Sequence, residues 1–212
     1  MKFIITLVLL TNFACASSVK KTLSQLSGCF EVQYQFVEDG TNDKLYAPIF
    51  EYIRLKENEE STYEHIGQYP LYDDNDQPVV DENGQPQYFS QYHWSEVWEQ
   101  IENDKWKQIV RGPYEDYRYT CEGKWLLNQF HCHTDKAAKP RRDMKRPYEY
   151  MIRINNIQVN EKRWVHNERN QKFDKDNNLY SVEMGWNTYK RVELSKCQPA
   201  IDSNAQPLPH TN

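Results

Sequence analysis

The densest concentration of chemistry in the chain is a basic run, Ala138-Lys139-Pro140-Arg141-Arg142-Asp143-Met144-Lys145-Arg146-Pro147-Tyr148. With Lys136, six cations fall within eleven residues, against only Asp135 and Asp143. Guanidinium groups are planar fork donors matched to carboxylate or phosphate. Arg141, Arg142 and Arg146 are therefore candidates for holding an acidic group of a ligand, with Tyr148 beside them. The competing reading is a solvated or internally ion-paired loop, the usual fate of a charge run. In an extended chain Arg141 and Arg142 point to opposite sides, so one can face inward while the other meets water.

A second group lies in Trp164-Val165-His166-Asn167-Glu168-Arg169-Asn170. On a strand Trp164, His166 and Glu168 share one face. A His–Glu pair beside an aromatic ring can do acid–base work or can be a satisfied structural pair. His131-Cys132-His133 resembles a metal site, but on a strand the two histidines face one way and Cys132 the other. Zinc needs three or four convergent ligands, so no metal is expected. Asp174-x-Asp176-x-Asn178 begins like a calcium loop, yet Leu179 stands where glycine is required and Gly185 where the closing glutamate belongs. The sequence has no Gly-x-Ser-x-Gly elbow, phosphate-binding loop, dinucleotide fingerprint or His-Glu-x-x-His, and it implies no cofactor and no catalytic residue.

The elements that would position these residues read as strands. In the first, Phe30, Val32, Tyr34 and Phe36 alternate with Glu31, Gln33 and Gln35. Further strands are expected over 46–56, 62–69 and parts of 88–110. In that last region Trp94, Trp98 and Ile101 also fit helical spacing, but strands around a turn at 102–104 are the reading adopted. A hairpin is expected across Glu122-Gly123-Lys124. A second is expected to turn at Asn155-Asn156, where the apolar phase flips from Tyr148, Tyr150, Ile152 and Ile154 to Ile157 and Val159. A third joins 163–173 to 179–192. Residues 17–27 suggest a short helix, with Leu23 and Leu26 on one side. The acidic, proline-punctuated stretch 70–87 reads as an excursion, and 198–212 as a disordered tail. Eight to ten short strands without a βαβ rhythm argue for an all-β antiparallel barrel or sandwich. An aromatic content of 14%, with 15 tyrosines, suits a barrel that is lined and not simply filled.

The N-terminus has the form of a secretory signal. Lys2 precedes an apolar stretch from Phe3 to Leu10, and Ala14-Cys15-Ala16 places small residues where a signal peptidase cuts. Cleavage is expected after Ala16. The rival, a lipoprotein lipidated at Cys15, fits Asn12 and Phe13 poorly. Loss of residues 1–16 removes Lys2 and shifts the formal net charge from −5 to −6. An acidic chain is a poor generic binder of nucleic acid, and no other apolar run is long enough to span a bilayer. Cys29, Cys121, Cys132 and Cys197 remain. An even count in an exported chain suggests disulfides, with three pairings open. Cys121–Cys132 would close one hairpin and Cys29–Cys197 would tie the first strand to the last; four reduced cysteines are the alternative.

Several stretches together resemble an uncharacterised family of exported bacterial proteins. They are Gly28-Cys29-Phe30-Glu31-Val32, Pro140-Arg141-Arg142-Asp143-x-x-x-Arg146-x-x-x-Tyr150, Trp164 to Asn170, and Gly185-Trp186-Asn187-Thr188-Tyr189 running on to Lys196-Cys197. The resemblance implies a calycin-like (lipocalin-type) β-barrel and brings no activity with it. More distantly, the layout is similar to the T-type bilin lyases, which attach chromophores to phycobiliproteins; a signal peptide departs from that pattern. The expectation is an exported, periplasmic or extracellular, monomeric barrel over 17–197. It would bind a small amphipathic or anionic ligand through Arg141, Arg142, Arg146, Tyr148, Trp164, His166 and Glu168. A chromophore-lyase-like or other enzyme using His166 and Glu168 is the alternative.

Overall fold

The structure, a computed structural model, describes residues 19–209 apart from 41, 57, 58, 60, 103, 141 and 142. The expected signal segment with Cys15 lies outside the described residues, as do Arg141 and Arg142. Eleven strands are described: β1 (Gly28–Glu38), β2 (Asn42–Leu45), β3 (Ile49–Leu55), β4 (Thr62–Pro70), β5 (Tyr88–Gln100), β6 (Lys105–Arg111), β7 (Tyr117–Leu126), β8 (Gln129–His133), β9 (Tyr150–Val159), β10 (Arg163–Phe173) and β11 (Leu179–Arg191). From β3 to β11 each strand pairs with the next, and β11 returns to β1, which also pairs β3. Ten antiparallel strands thus close into a barrel in which every strand has two neighbours. β2 lies outside the ring and extends the edge of β1 beyond β3.

Period-two alternation sends two different sets of side chains inward. At the end where β1 starts and β11 finishes, Phe30, Trp98, Trp106, Trp125, Phe130, Ile157, Val159 and Trp164 are buried together. Trp98 meets Phe130 edge-on with ring centroids 4.8 Å apart, and Trp164 stacks on Tyr189 at 3.6 Å. Residues 19–24 coil as helix α1 and bring Val19, Leu23 and Leu26 into this floor. Towards the opposite end the same inward positions become polar: Glu38, Glu51, His65, Glu96, Asn155, His166, Glu168, Asn170, Lys172, Glu183 and Asn187 are all buried.

That division explains a misreading of the sequence. Asn155-Asn156 is not a turn, because β9 runs unbroken from Tyr150 to Val159 against both β8 and β10. The apolar phase flips because the inward positions are Arg153 and Asn155 in the upper part and Ile157 and Val159 in the floor. The hairpin expected at 122–124 is displaced as well: β7 continues to Leu126 and the chain reverses at Leu127-Asn128, with Leu127 at φ 56°. Gly123 sits inside the β7–β8 ladder opposite Cys132, where an added Cβ would fall 2.0 Å from the His131 carbonyl oxygen.

The disulfides are Cys121–Cys132 and Cys29–Cys197. The second spans 168 residues, a closure of about 5 kcal/mol in the loop-entropy picture. It fixes a C-terminal segment that is ordered from residue 198, contrary to the tail expected there: α2 (Gln198–Asp202) buries Ala200. Beyond it the Ala205 carbonyl accepts from Arg54, and Leu208 donates its amide to Pro113. This covering accounts for β4 being buried on both faces over Thr62–Gln68.

The excursion 71–87 contains two copies of one turn. The carboxylates of Asp73 and Asp81 each accept from the amides two and four residues ahead. Asp174 does the same between β10 and β11. These aspartates close turns, which is where their acidity in sequence comes from.

Candidate ligand-binding cavity

Above the aromatic floor the barrel holds a cavity of about 330 Å³, open at the upper end beside Arg111, Gly112, Pro113, Arg118 and Pro140. Its walls come from β1 (Tyr34, Phe36), β5 (His93, Trp94), β6 (Val110), β7 (Tyr119), β9 (Arg153), β10 (His166, Glu168) and β11 (Asn187, Tyr189). Gly185 makes room for one side of it, since a Cβ there would meet Glu168 Cγ at 2.6 Å and Phe36 Cε1 at 2.9 Å.

One wall is a buried chain of polar groups. Gln108 donates to Glu96 at 2.6 Å, His65 Nε2 lies 3.5 Å from Glu96, and His65 Nδ1 is 2.7 Å from Glu51. Glu51 also takes His93 Nδ1 at 2.8 Å and the Tyr34 hydroxyl at 3.1 Å, and Tyr34 meets the Tyr189 hydroxyl at 3.2 Å. Burial pushes the Glu51 carboxyl up, but the hydrogen bonds from His65 and His93 outweigh it and hold it at about 2. Burial pushes His65 down, and its two glutamates more than compensate, so it stays above the ordinary histidine range. The imidazole, stacked on Trp94 at 3.6 Å, lies between two carboxylates, which favour its protonated form. Burial, and then Glu51, keep the Tyr34 and Tyr189 hydroxyls protonated.

The facing wall is organised by Glu168. Its carboxylate takes Arg153 Nη2 at 2.7 Å, Asn187 Nδ2 at 3.2 Å and Asn170 Nδ2 at 3.3 Å. Burial favours its neutral form, but Arg153, with the hydrogen bonds from Asn187 and Asn170, outweighs it and holds it at about 2. Arg153 in turn donates to Asn170 and lies over the Tyr119 ring. Burial pushes His166 below its usual value, so its ring is neutral. No hydrogen bond joins His166 to Glu168 among the described residues, although both face the cavity.

Of the residues singled out in the sequence, His166 and Glu168 line this cavity. Trp164 lies beneath it, stacked in the floor. Arg146 is not a free anion handle: it forks onto Glu38 at 2.6 and 3.0 Å. Tyr148 is buried, donating to Asp143 at 2.7 Å. Both belong to a plug at the upper end of the barrel made by residues 134–140 and 143–149, which joins β9 through the Ala137–Met151 bridge. Its centre is Lys172, fully buried, with Glu38, Glu183 and Asp143 at 3.1 to 3.3 Å. Burial pushes the Glu38 carboxyl up, yet Arg146, Ser181 and Lys172 hold it at about 2. His131 faces outward onto Asn156, and Cys132 is in its disulfide. Sequence reasoning missed Arg153, Asn187, Tyr34, Tyr119 and Tyr189. The available signal was parity: Arg153 is in phase with Ile157 and Val159, and Tyr34 with Phe30 and Val32.

The geometry has a counterpart among solved structures. An S-type phycobiliprotein lyase, CpeS of Guillardia theta, superposes with a TM-score of 0.52 and 12% identity, covering 83% of this chain and 93% of that one. The barrel is calycin-like. A protein of unknown function from the DUF3598 family of Nostoc punctiforme also matches, with a TM-score of 0.21, 8% identity and coverage of 82% and 98%, too weak a superposition to carry an argument. No protein-family model and no curated protein matches the sequence. At such identities the likeness concerns the fold, and calycin-like architecture alone implies no reaction.

Proposed function

We propose that the protein is an exported, monomeric barrel that binds one small amphipathic or anionic molecule. The observation that carries this reading is the cavity: about 330 Å³, walled by aromatic rings and rimmed by Arg111 and Arg118, above a floor that is filled. At ~30 Å³ per water-sized group it holds about eleven such groups, near the lower end of ligand cavities. A larger molecule would protrude past Pro113 and Pro140. Arginine at the rim and aromatic rings below suit a molecule with an acidic end and an apolar body. Two disulfides and the N-terminal signal pattern support export; no described helix is long and apolar enough to cross a membrane.

The acid–base alternative draws no support from the geometry. Glu168 is held ionised by Arg153 and two amides, and His166 makes no hydrogen bond to it. Native mass spectrometry of protein purified from its own host tests the binding reading. A reproducible adduct that denaturation releases is expected; a bare chain in every preparation would contradict it. In the same spectra, a mature mass starting at Ser17 is the expected sign of export.

A further inference from the structure

Two cavity-facing atoms are left without a partner. His166 Nε2 and Asn187 Oδ1 are buried and make no hydrogen bond among the described residues. Their residues are only 6% and 4% exposed, and both line the cavity. They sit directly opposite one another across the β10–β11 ladder, where side chains on the same face are neighbours. The amide of Asn187 is not free to turn round: Glu168 Oε1 is an ionised acceptor and takes Nδ2 at 3.2 Å, which fixes Oδ1 as the atom left over. Asn170, which also serves Glu168, differs in that its Oδ1 accepts from Arg153 Nε. A buried polar atom without a partner is costly, and such atoms are uncommon enough to need an explanation.

Building on the reading of the cavity as a ligand site, we infer that the ligand carries a hydroxyl group at its buried end, placed between His166 and Asn187. A hydroxyl has one donor hydrogen and two lone pairs. It can donate to Asn187 Oδ1, which can only accept, and accept from His166 Nε2–H, because the neutral ring carries its proton on either nitrogen. One group thereby satisfies both atoms. A single N–H would serve only one of the two atoms, an NH2 group would serve both only with the His166 proton on Nδ1, and a carboxylate would serve neither Asn187 nor the nearby Glu168. The acidic end of the ligand accordingly faces the rim and the hydroxyl faces inward.

The test is calorimetric titration of the full chain with three probes sized to the cavity: 4-hydroxybenzoate, 4-methoxybenzoate and benzoate. The hydroxyl probe is expected to bind at least about tenfold more tightly than the other two. His166→Phe, which keeps a ring and removes the nitrogen, should erase that preference, read as the ratio of the 4-hydroxybenzoate to the 4-methoxybenzoate affinity. Equal affinities for all three in the native chain would overturn the hydroxyl inference and leave the ligand-binding reading standing. A preference that survives in His166→Phe would also overturn it. Failure of all three probes, in a chain whose native spectrum nevertheless shows an adduct, would place the error in the ligand chemistry. Failure of all three with no adduct would remove the binding reading itself.

Discussion

The two halves of the barrel interior are built from the same strands and differ in nearly every physical respect. In the floor β10 contributes Trp164 and β9 contributes Ile157 and Val159; further up, the same two strands contribute His166, Glu168, Lys172, Arg153 and Asn155. Floor residues meet through dispersion and ring geometry, which fill space without demanding partners. In the upper half every charged group needs a counter-group, and most have one, as in the Lys172 and Glu51 clusters. Removing buried charges from water is expensive, so this half is a poor means of adding stability. On the reading proposed above, the floor stabilises the molecule and the upper half shapes what enters it.

The floor should give the largest effect. Trp98→Ala removes a fully buried indole lying against Trp125 and Phe130 and is expected to destabilise by about 4 kcal/mol, read by denaturant unfolding. Next comes Lys172→Met. Deleting the cation shared by three carboxylates leaves them uncompensated and should cost about 3 kcal/mol, the low end for a broken buried pair because Arg146 still serves Glu38. Hydrogen exchange should show this loss first in 143–151 and β11, with the floor amides protected until global unfolding.

Acid should separate the halves without mutation. Glu38, Glu51 and Glu168 are held at about 2 in the folded protein, below the ordinary carboxylate value of ~4.3. Their contribution is complete above the unfolded value and is lost as the pH falls from ~4.3 towards 2. His166, also depressed, contributes above ~6.5 and begins to lose that contribution below it. His65 is raised, so its contribution is complete below ~6.5 and disappears as the pH rises through its folded value. Stability should therefore be greatest at pH ~6.5 and fall on either side. On acidification, exchange protection near Lys172 should fail before the floor tryptophans lose their buried fluorescence.

The smallest change in stability is expected from His166→Phe, within about 1 kcal/mol of the parent and towards greater stability, because the substitution removes an unpaired buried nitrogen and keeps the ring. Its unfolding free energy should also fall less steeply between pH 6.5 and 4.5. A large destabilisation would mean that His166 is structural and that the contrast between the halves is misdrawn.

Most of the fold was legible because the floor obeys alternation. Phe30 and Val32 announce β1, the 163–173 and 179–192 strands were found together with their turn, and the strand total suited a barrel. The upper half was not legible for the same reason: there the inward residues are polar, so Arg153 and Asn155 read as a break and not as a lining. The basic run illustrates the limit for sites. Arg146 is a guanidinium in a dense cationic stretch, yet its partner Glu38 is 108 residues away and nothing local reveals it. Trp164, His166 and Glu168 were correctly assigned to one face, but parity could not say which of them would stop in the floor. The ordered segment after Cys197 was hidden by its prolines, one of which stands in the first turn of α2, where proline is tolerated.

The central claim is that the upper half encloses a ligand and the floor does not. A crystal structure of the protein isolated from its own host, without added compounds, tests it most directly. The expected result is continuous non-water density bounded by Tyr34, Trp94, His166 and Asn187, with an atom in contact with both His166 Nε2 and Asn187 Oδ1, above an unaltered floor. Ordered water alone in that space, or a ligand seated elsewhere on the barrel, would contradict the account.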